Sequence, residues 1–237
     1  DYDAPINEQG QPTPKYFALR NLISKYVSYQ IPDVPAAPAA MEIPEIKMNA
    51  VNNIWNNLPK PVVSPQPVPM ETLGQSGGYV LYRTKLIGHK SGALTITEPH
   101  DFAIILLDGK FIDTVYRDGG NWKVELPKTM SKEPVLDILV EGMGRINFAQ
   151  YMIDRKGITE RVSLNGMTLM NWQIYSLPMN TEYIQGIQPV SGTHQNGVFF
   201  EGSFELTTDA DTYLDMSNYA KAVVWVNGHN LGRYWNV

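Results

Sequence analysis

The chain has 237 residues, of which 43% are hydrophobic and 18% are charged, so it is long and apolar enough to fold and is not a disordered protein. Lys and Arg number 19 against 24 Asp and Glu, a net charge of −5, which excludes the basic footprint of a nucleic-acid binder. The absence of cysteine excludes disulfides, thiol nucleophiles and zinc–thiolate sites, and no apolar run of about 18 residues would span a membrane. Tyrosine and tryptophan are plentiful, at 13 and 5 residues, which favours an all-β protein that handles sugars.

Both ends of the sequence have the character of internal segments. It begins at Asp1 with no starting methionine or signal peptide, and it closes within the aromatic run Tyr234-Trp235. Natural termini are usually polar and expendable. We therefore expect the sequence to be a piece of a longer polypeptide.

The first predicted element is a helix over residues 13–27. Thr13 can cap this helix, and Pro14 suits its first position. Apolar residues recur on one helical face, at Tyr16, Leu19, Ile23 and Tyr26. Prolines then interrupt residues 31–77 repeatedly, which predicts a linker with at most a strand or a short helical turn. This linker carries too many apolar residues to be free, so we expect it to pack against a domain.

Residues 78–168 have the pattern of strands joined by tight turns. Apolar and polar residues alternate after Gly78, and residues 103–107 form a continuous apolar run. Asp108-Gly109 and Asn165-Gly166 stand between such runs, and these dipeptides are strong hairpin signals. Several short strands at this spacing predict a first β-sandwich.

The same pattern returns over residues 169–237. The apolar run before Asn227-Gly228 resembles the run before Asp108-Gly109, about one domain length earlier. We therefore predict a second, related β-sandwich that is truncated where the sequence ends. The tryptophans that lie in strand patterns are interpreted as core residues; they are Trp122, Trp172 and Trp225.

The sequence offers little local evidence of catalysis. Its four histidines have no pair at metal-ligand spacing, and it has no nucleophile elbow, zinc-protease or phosphate-loop motif, so we expect no metal and no cofactor. Glu141 and Glu201 follow strand ends, where solvated edge residues are the favoured interpretation. Tyr234 and Trp235 could form a stacking platform for a sugar, with packing in a core or interface as the favoured alternative.

Four stretches of the sequence carry a family resemblance. They are Asp-Tyr-Asp-Ala-Pro-Ile-Asn-Glu over 1–8 with Pro-Lys-Tyr-Phe-Ala-Leu-Arg over 14–20, Gly-Tyr-Val-Leu-Tyr-Arg-Thr over 78–84, Val-Glu-Gly-Met-Gly-Arg-Ile-Asn over 140–147, and Val-Asn-Gly-His-Asn-Leu-Gly-Arg-Tyr-Trp over 226–235. In this order they span nearly the whole chain. Together they resemble glycoside hydrolase family 35, the β-galactosidases.

The resemblance implies the C-terminal portion of an enzyme with a (β/α)₈ barrel followed by two jelly-roll, galactose-binding-like β-domains. Residues 1–30 would then be the last strand and helix of the barrel. The family hydrolyses terminal β-galactosides with retention, using two glutamates; neither catalytic motif is in this sequence, and Glu8 matches neither position. The tyrosine of the first motif contacts galactose in the family, which implies substrate binding by Tyr2. Active sites of such barrels lie at the C-terminal ends of the strands.

Three hypotheses for the chain follow. The first is the β-domain part of a β-galactosidase, whose partners are the parent's barrel and its galactoside substrate. The second is a stand-alone carbohydrate-binding β-sandwich without catalysis, and the third is a structural module with no ligand. No nucleic-acid or membrane partner is expected. The sequence has no Asn-x-Ser/Thr glycosylation site, which favours a periplasmic or extracellular bacterial protein over the lysosomal alternative.

Overall fold

The structure is a computed structural model that describes residues 3–190 and 197–236. Within these ranges the α-helices are α1 (Pro14–Ile23) and α2 (Thr181–Gln185). Short 3₁₀ turns cover Ile54–Asn57, Met70–Leu73, Arg117–Gly119 and Ala149–Tyr151. The strands are β1 (Asn49–Asn53), β2 (Val62–Ser64), β3 (Gly78–Lys85), β4 (Gly92–Ile96), β5 (Pro99–His100), β6 (Phe102–Leu107), β7 (Lys110–Tyr116), β8 (Lys123–Leu126), β9 (Val135–Gly142), β10 (Gly157–Ile158), β11 (Val162–Leu164), β12 (Met167–Thr168), β13 (Trp172–Leu177), β14 (Val198–Glu201), β15 (Lys221–Val226) and β16 (His229–Trp235). The predicted mainly-β class is confirmed.

The chain divides into two compact units. The smaller unit consists of Asp1–Asn49, Phe200–Lys221 and Tyr234–Val237, and the larger consists of Ala50–Phe199 and Ala222–Arg233. The predicted division into residues 1–30, 31–77, 78–168 and 169–237 followed the chain in order. Burial and strand pairing instead group segments that are distant in sequence, as the larger unit shows.

The larger unit is built on a β-sandwich of two antiparallel sheets. One sheet has the strand order β2-β13-β3-β9-β6-β7, and the other has the order β12-β11-β4-β8. Alternate side chains of each strand point to opposite faces of its sheet, so each sheet presents one apolar face to the other. The main core lies between them and includes Val80, Tyr82, Ile105, Ile138 and Val140 from the six-stranded sheet and Leu94, Ile96, Val124, Val162 and Leu164 from the four-stranded sheet.

The sandwich extends beyond the predicted residues 78–168 on both sides. Strand β13 pairs with β3, and β2 adds to the free edge of β13. Trp172, which opens β13, is fully buried in the main core, as is Met70 from the predicted linker. The last prolines of the linker do not mark a domain boundary, because Val68, Met70 and Leu73 pack in the same core.

The six-stranded sheet is covered on its outer face as well. Its central strands β3 and β9 are buried on both faces. The outward residues form a second cluster with the 3₁₀ turn at Ile54 and with the segment around α2; its buried members are Ile54, Leu81, Leu139, Tyr175, Leu177 and Met179. The sheet is therefore a middle layer, and its outer face is mostly apolar.

Helix α1 begins where the sequence predicts and ends early. Pro14 occupies its first turn after Thr13, but the helix stops at Ile23 rather than at residue 27, and none of its residues is buried. The Thr13 hydroxyl does not cap the helix; it donates to the carbonyl oxygens of Ala4 and Pro5, at 3.3 and 3.0 Å. No helix in the described part of the chain is long and apolar enough to cross a membrane.

The three predicted hairpin turns are confirmed. Asp108-Gly109 joins β6 to β7, Asn165-Gly166 joins β11 to β12, and Asn227-Gly228 joins β15 to β16. Both residues of each turn have positive φ, from 49° to 83°, which is the reason for Asp or Asn followed by Gly. In the described residues β15 and β16 form a sheet of their own, so the duplication of the sandwich stays a prediction.

Candidate functional site

The first family motif lines a shallow cleft in the smaller unit. Tyr2, the predicted galactose contact, lies outside the described residues. The residues after it surround a cleft of about 460 Å³, lined by Asp3, Ala4, Asn7, Glu8, Gln9 and Thr13. Asn7 shapes its wall, since its side-chain oxygen accepts hydrogen bonds from the backbone N–H of Gln9 and Gln11 at 3.0 and 2.8 Å. The Asn7 amide and the Thr13 hydroxyl form hydrogen bonds within this segment, so the groups that the lining offers to a ligand are mainly the carboxylates of Asp3 and Glu8.

The aromatic pair at the end of β16 is only partly exposed. Tyr234 and Trp235 are both half-buried. The ammonium group of Lys221 lies 4.7 Å from the centre of the Trp235 ring, in a cation–π contact. A ring face engaged by an ammonium group is not free to stack on a sugar. These contacts favour packing for Trp235, and its role as a sugar platform stays a prediction.

Glu141 and Arg233 connect the third and fourth motifs within the larger unit. Arg233 Nη1 lies 3.6 Å from Glu141 Oε1. Glu141 is only 3% exposed, so the prediction that it is a solvated edge residue was wrong, because β9 is a central strand covered on both faces. Tyr79 lies opposite Glu141 in the strand register. Burial, followed by the charge and hydrogen bond of Glu141, raises the pKa of the Tyr79 phenol above its ordinary value.

A buried ionic cluster lies beside the third motif. Lys156 is fully buried, and its Nζ donates to Asp101 Oδ2 at 2.7 Å, Asp154 Oδ2 at 2.8 Å and the carbonyl oxygen of Gly144 at 2.9 Å. Arg117 donates to the same two carboxylates, at 3.1 and 2.8 Å. Two buried anions are thus balanced by two cations, the arrangement that buried charges require.

The ionic cluster holds the loop that follows β9. The backbone N–H of Met143 donates to Asp101 Oδ2 at 2.6 Å, and that of Ile146 donates to Asp154 Oδ2 at 3.3 Å. Burial disfavours the charge of Asp154, but hydrogen bonds from Lys156, Arg117 and the Ile146 backbone outweigh it and lower its pKa. Sequence reasoning missed this cluster, because its charged residues are scattered between strands and match no motif. No group of three or more His, Asp or Glu among the described residues could hold a metal ion.

Beyond this anchored segment the same loop is apolar and exposed. Phe148 and Ile153 are 82% and 89% exposed, and Met152 lies between them in the exposed class as well. Side chains of this kind stand in water only at a cost in free energy, and several of them together mark a surface that another body covers. The anchored third motif is therefore followed by an exposed apolar tip at Phe148, Met152 and Ile153.

Comparisons with known proteins match these features to one family. Residues 67–178 match the model of the β-galactosidase first all-beta domain, and residues 197–237 match the model of the β-galactosidase galactose-binding domain. The chain belongs to the β-galactosidase family. Over its whole length it is 37% identical to a β-galactosidase of Xanthomonas manihotis, 34% to β-galactosidase 1 of Dictyostelium discoideum and 34% to β-galactosidase-1-like protein 3 of Homo sapiens. It spans 38–40% of the length of these relatives, as a C-terminal portion.

The matched domains follow the observed architecture. The first all-beta domain, residues 67–178, includes Met70 and all of β13 and so agrees with the extended sandwich rather than with the predicted 78–168. The galactose-binding domain covers β14, β15 and β16, including Arg233 and the aromatic pair. The predicted family resemblance is confirmed.

Proposed function

We propose that this chain is the non-catalytic C-terminal part of a retaining β-galactosidase, which removes terminal β-D-galactose from glycans or oligosaccharides. The observation that carries the proposal is the match of the whole chain to β-galactosidases. A retaining mechanism needs two carboxyl groups about 5–5.5 Å apart, and the family resemblance assigns neither of them to a residue of this sequence. In this proposal the β-domains support a catalytic barrel, and the parent is a periplasmic or extracellular bacterial enzyme, with a lysosomal location as the alternative.

Two apolar surfaces support packing against a barrel. Helix α1 carries exposed Leu19 and Ile23 four positions apart on one face, as expected of an outer barrel helix that packs its inner face on strands. The loop tip at Phe148 and Ile153 is the second such surface. We propose that each surface is covered by the parent's barrel, because burial of apolar area is the main force that joins domains.

The chain by itself is expected not to hydrolyse β-galactosides. One tyrosine and the remnant of a barrel supply neither a nucleophile nor a general acid. The measurement is turnover of an aryl β-galactoside by the purified 237-residue chain, with the longer polypeptide that contains it as the positive control. Activity of the isolated chain that survives repurification would refute the proposal, and so would an inactive but folded longer polypeptide.

Tyr2 is proposed to contact galactose, and its replacement in the longer polypeptide tests this role. Tyr2→Phe removes one phenol hydrogen bond that can tighten in the transition state. The loss of about 1–3 kcal/mol of transition-state stabilisation should lower kcat/KM roughly 5- to 150-fold. The unfolding temperature should not change. Tyr29→Phe, at an exposed tyrosine of the same unit, is the matched control. Kinetics within about twofold of wild type would remove Tyr2 from the site.

A further inference from the structure

A second cleft lies in the larger unit, at the charged end of the outer face of the six-stranded sheet. It is an open depression of about 550 Å³ lined by Trp55, Arg83, Asp108, Gly109, Val135 and Asp137. This volume exceeds that of one hexose ring and lies within the usual range for small-ligand sites. The lining combines an indole, a guanidinium and carboxylates.

The polar wall of the cleft is a built ion pair. Arg83 and Asp137 lie opposite each other on β3 and β9. Arg83 Nε and Nη2 donate to the two carboxylate oxygens of Asp137 at 2.6 and 2.9 Å. The Arg83 side chain is 29% exposed and that of Asp137 is 4% exposed. A guanidinium has five N–H groups, so Asp137 fixes its plane and leaves further donors for another partner.

The ion pair is held in place by its surroundings. The guanidinium carbon lies 5.7 Å from the centre of the Tyr175 ring, and the hydrogen bond to Asp137 raises the pKa of Arg83. A rigid, planar pair of this kind can present hydrogen-bonding groups to two neighbouring hydroxyls without losing side-chain entropy on binding.

The apolar wall is Trp55, which a short turn positions. Asn53 accepts a hydrogen bond from the Asn56 backbone N–H at 3.0 Å and so caps the 3₁₀ turn that carries Trp55. Asn52 is buried, and its side-chain nitrogen donates to the Gln188 carbonyl at 2.6 Å. Trp55 packs against the second core cluster and remains partly exposed. An indole fixed in this way can contact the CH-rich face of a sugar ring.

The rim of the cleft is the Asp108-Gly109 turn. Both carboxylate oxygens of Asp108 are already used, since they accept hydrogen bonds from the Val135 backbone and the Thr129 hydroxyl at 2.9 and 3.2 Å. Asp108 therefore shapes the rim. Gly109 has a φ of 74°, and no atom lies within 4 Å of the position that its Cβ would take.

We propose that this cleft binds one neutral pyranose residue of a glycan, with Trp55 against the apolar ring face and the Arg83–Asp137 pair on two neighbouring hydroxyls. Apart from Trp55, the lining residues lie in the first all-beta domain, so the site goes beyond the proposed function of that domain as a support. Its effect would be to hold a glycan chain on the β-domains by weak binding, with no bond made or broken.

The test is lactose binding to the ¹⁵N-labelled chain, followed through the five tryptophan indole N–H signals, with Trp55 assigned from Trp55→Phe. We expect lactose to shift the Trp55 signal with a Kd of about 1–10 mM, the range for one sugar ring. Galactitol, which has the hydroxyls but no ring, should leave the signal unchanged. Equal shifts with both compounds would overturn the pyranose assignment.

Two variants test the location of the site. Trp55→Ala removes the apolar wall, and Gly109→Asn adds a side chain at the rim, where asparagine tolerates positive φ. Each should weaken lactose binding about tenfold. The matched control is Gly166→Asn, in a turn with nearly the same φ and equally open space, and it should bind as wild type does. If Trp55→Ala does not fold, lactose binding to Gly109→Asn by itself tests the location of the site. No binding at about 50 mM lactose, or unchanged binding in Gly109→Asn, overturns the proposal.

Discussion

Lys156→Met should destabilise the first all-beta domain by about 3–5 kcal/mol, because it leaves two buried carboxylates with Arg117 as their remaining cationic partner. Lys156 donates to Asp101 and Asp154 at 2.7 and 2.8 Å and is fully buried. Methionine fills a similar volume, so the loss reflects charge rather than a cavity. Urea unfolding of the chain, followed by tryptophan fluorescence, measures the free energy of unfolding.

The matched control is Lys85→Met, which removes an exposed ion pair. Lys85 and Glu133 lie 2.8 Å apart, but their side chains are 61% and 68% exposed. Such a pair contributes about 0–1 kcal/mol. If Lys156→Met costs no more than Lys85→Met, the buried cluster does not stabilise the domain.

The pH dependence of Lys156→Met gives a second readout. The folded-state pKa of Asp154 is lowered, so the stability that this group contributes is present above its unfolded pKa of about 3.9 and is lost as pH falls through the lower folded value. In Lys156→Met one hydrogen bond that lowers the pKa of Asp154 is lost, whereas the burial that raises this pKa remains. The folded-state pKa of Asp154 then lies closer to its unfolded value or above it, so the free energy of unfolding should fall less between pH 7 and about pH 3 in the variant than in wild type. An equal or larger fall in the variant would contradict this assignment.

Gly157→Ala should cost more than about 3 kcal/mol, the second large effect that we expect. Gly157 lies in β10 with a φ of 93°, where an L side chain is strained. A Cβ at this position would overlap the hydroxyl of Tyr82. That hydroxyl cannot move away easily, since it donates to the Val68 carbonyl at 2.7 Å and accepts from the Ile158 backbone N–H at 3.0 Å.

Gly166→Ala separates the two contributions to this loss. Gly166 has a φ of 83° and no atom within 4 Å of its Cβ position, so alanine there suffers the backbone strain alone, about 1–2 kcal/mol. The difference between the two variants measures the overlap with Tyr82. In a Tyr82→Phe background the cost of Gly157→Ala should fall, because the blocking oxygen is gone. Equal losses of the free energy of unfolding in Gly157→Ala and Gly166→Ala would show that the overlap with the Tyr82 hydroxyl does not contribute.

The sequence by itself predicted the features that depend on neighbouring residues. The β-class and the three hairpin turns were read from alternation and from Asp-Gly or Asn-Gly pairs, whose positive φ is a local requirement. The start of α1 at Pro14 was predicted for the same reason. The family was recognised from four motifs in order, which carry more information than any local pattern.

Only the tertiary structure decided what depends on residues far apart in the chain. Met70 and Trp172 joined the first sandwich because strand pairing and burial, not prolines, set its limits. Glu141 is buried because other segments cover both faces of its strand. The Lys156 cluster and the Trp55 cleft bring together residues that lie dozens of positions apart. No spacing rule reports such contacts, since the energy of a buried charge or of a shaped cleft exists only after the sheets have packed.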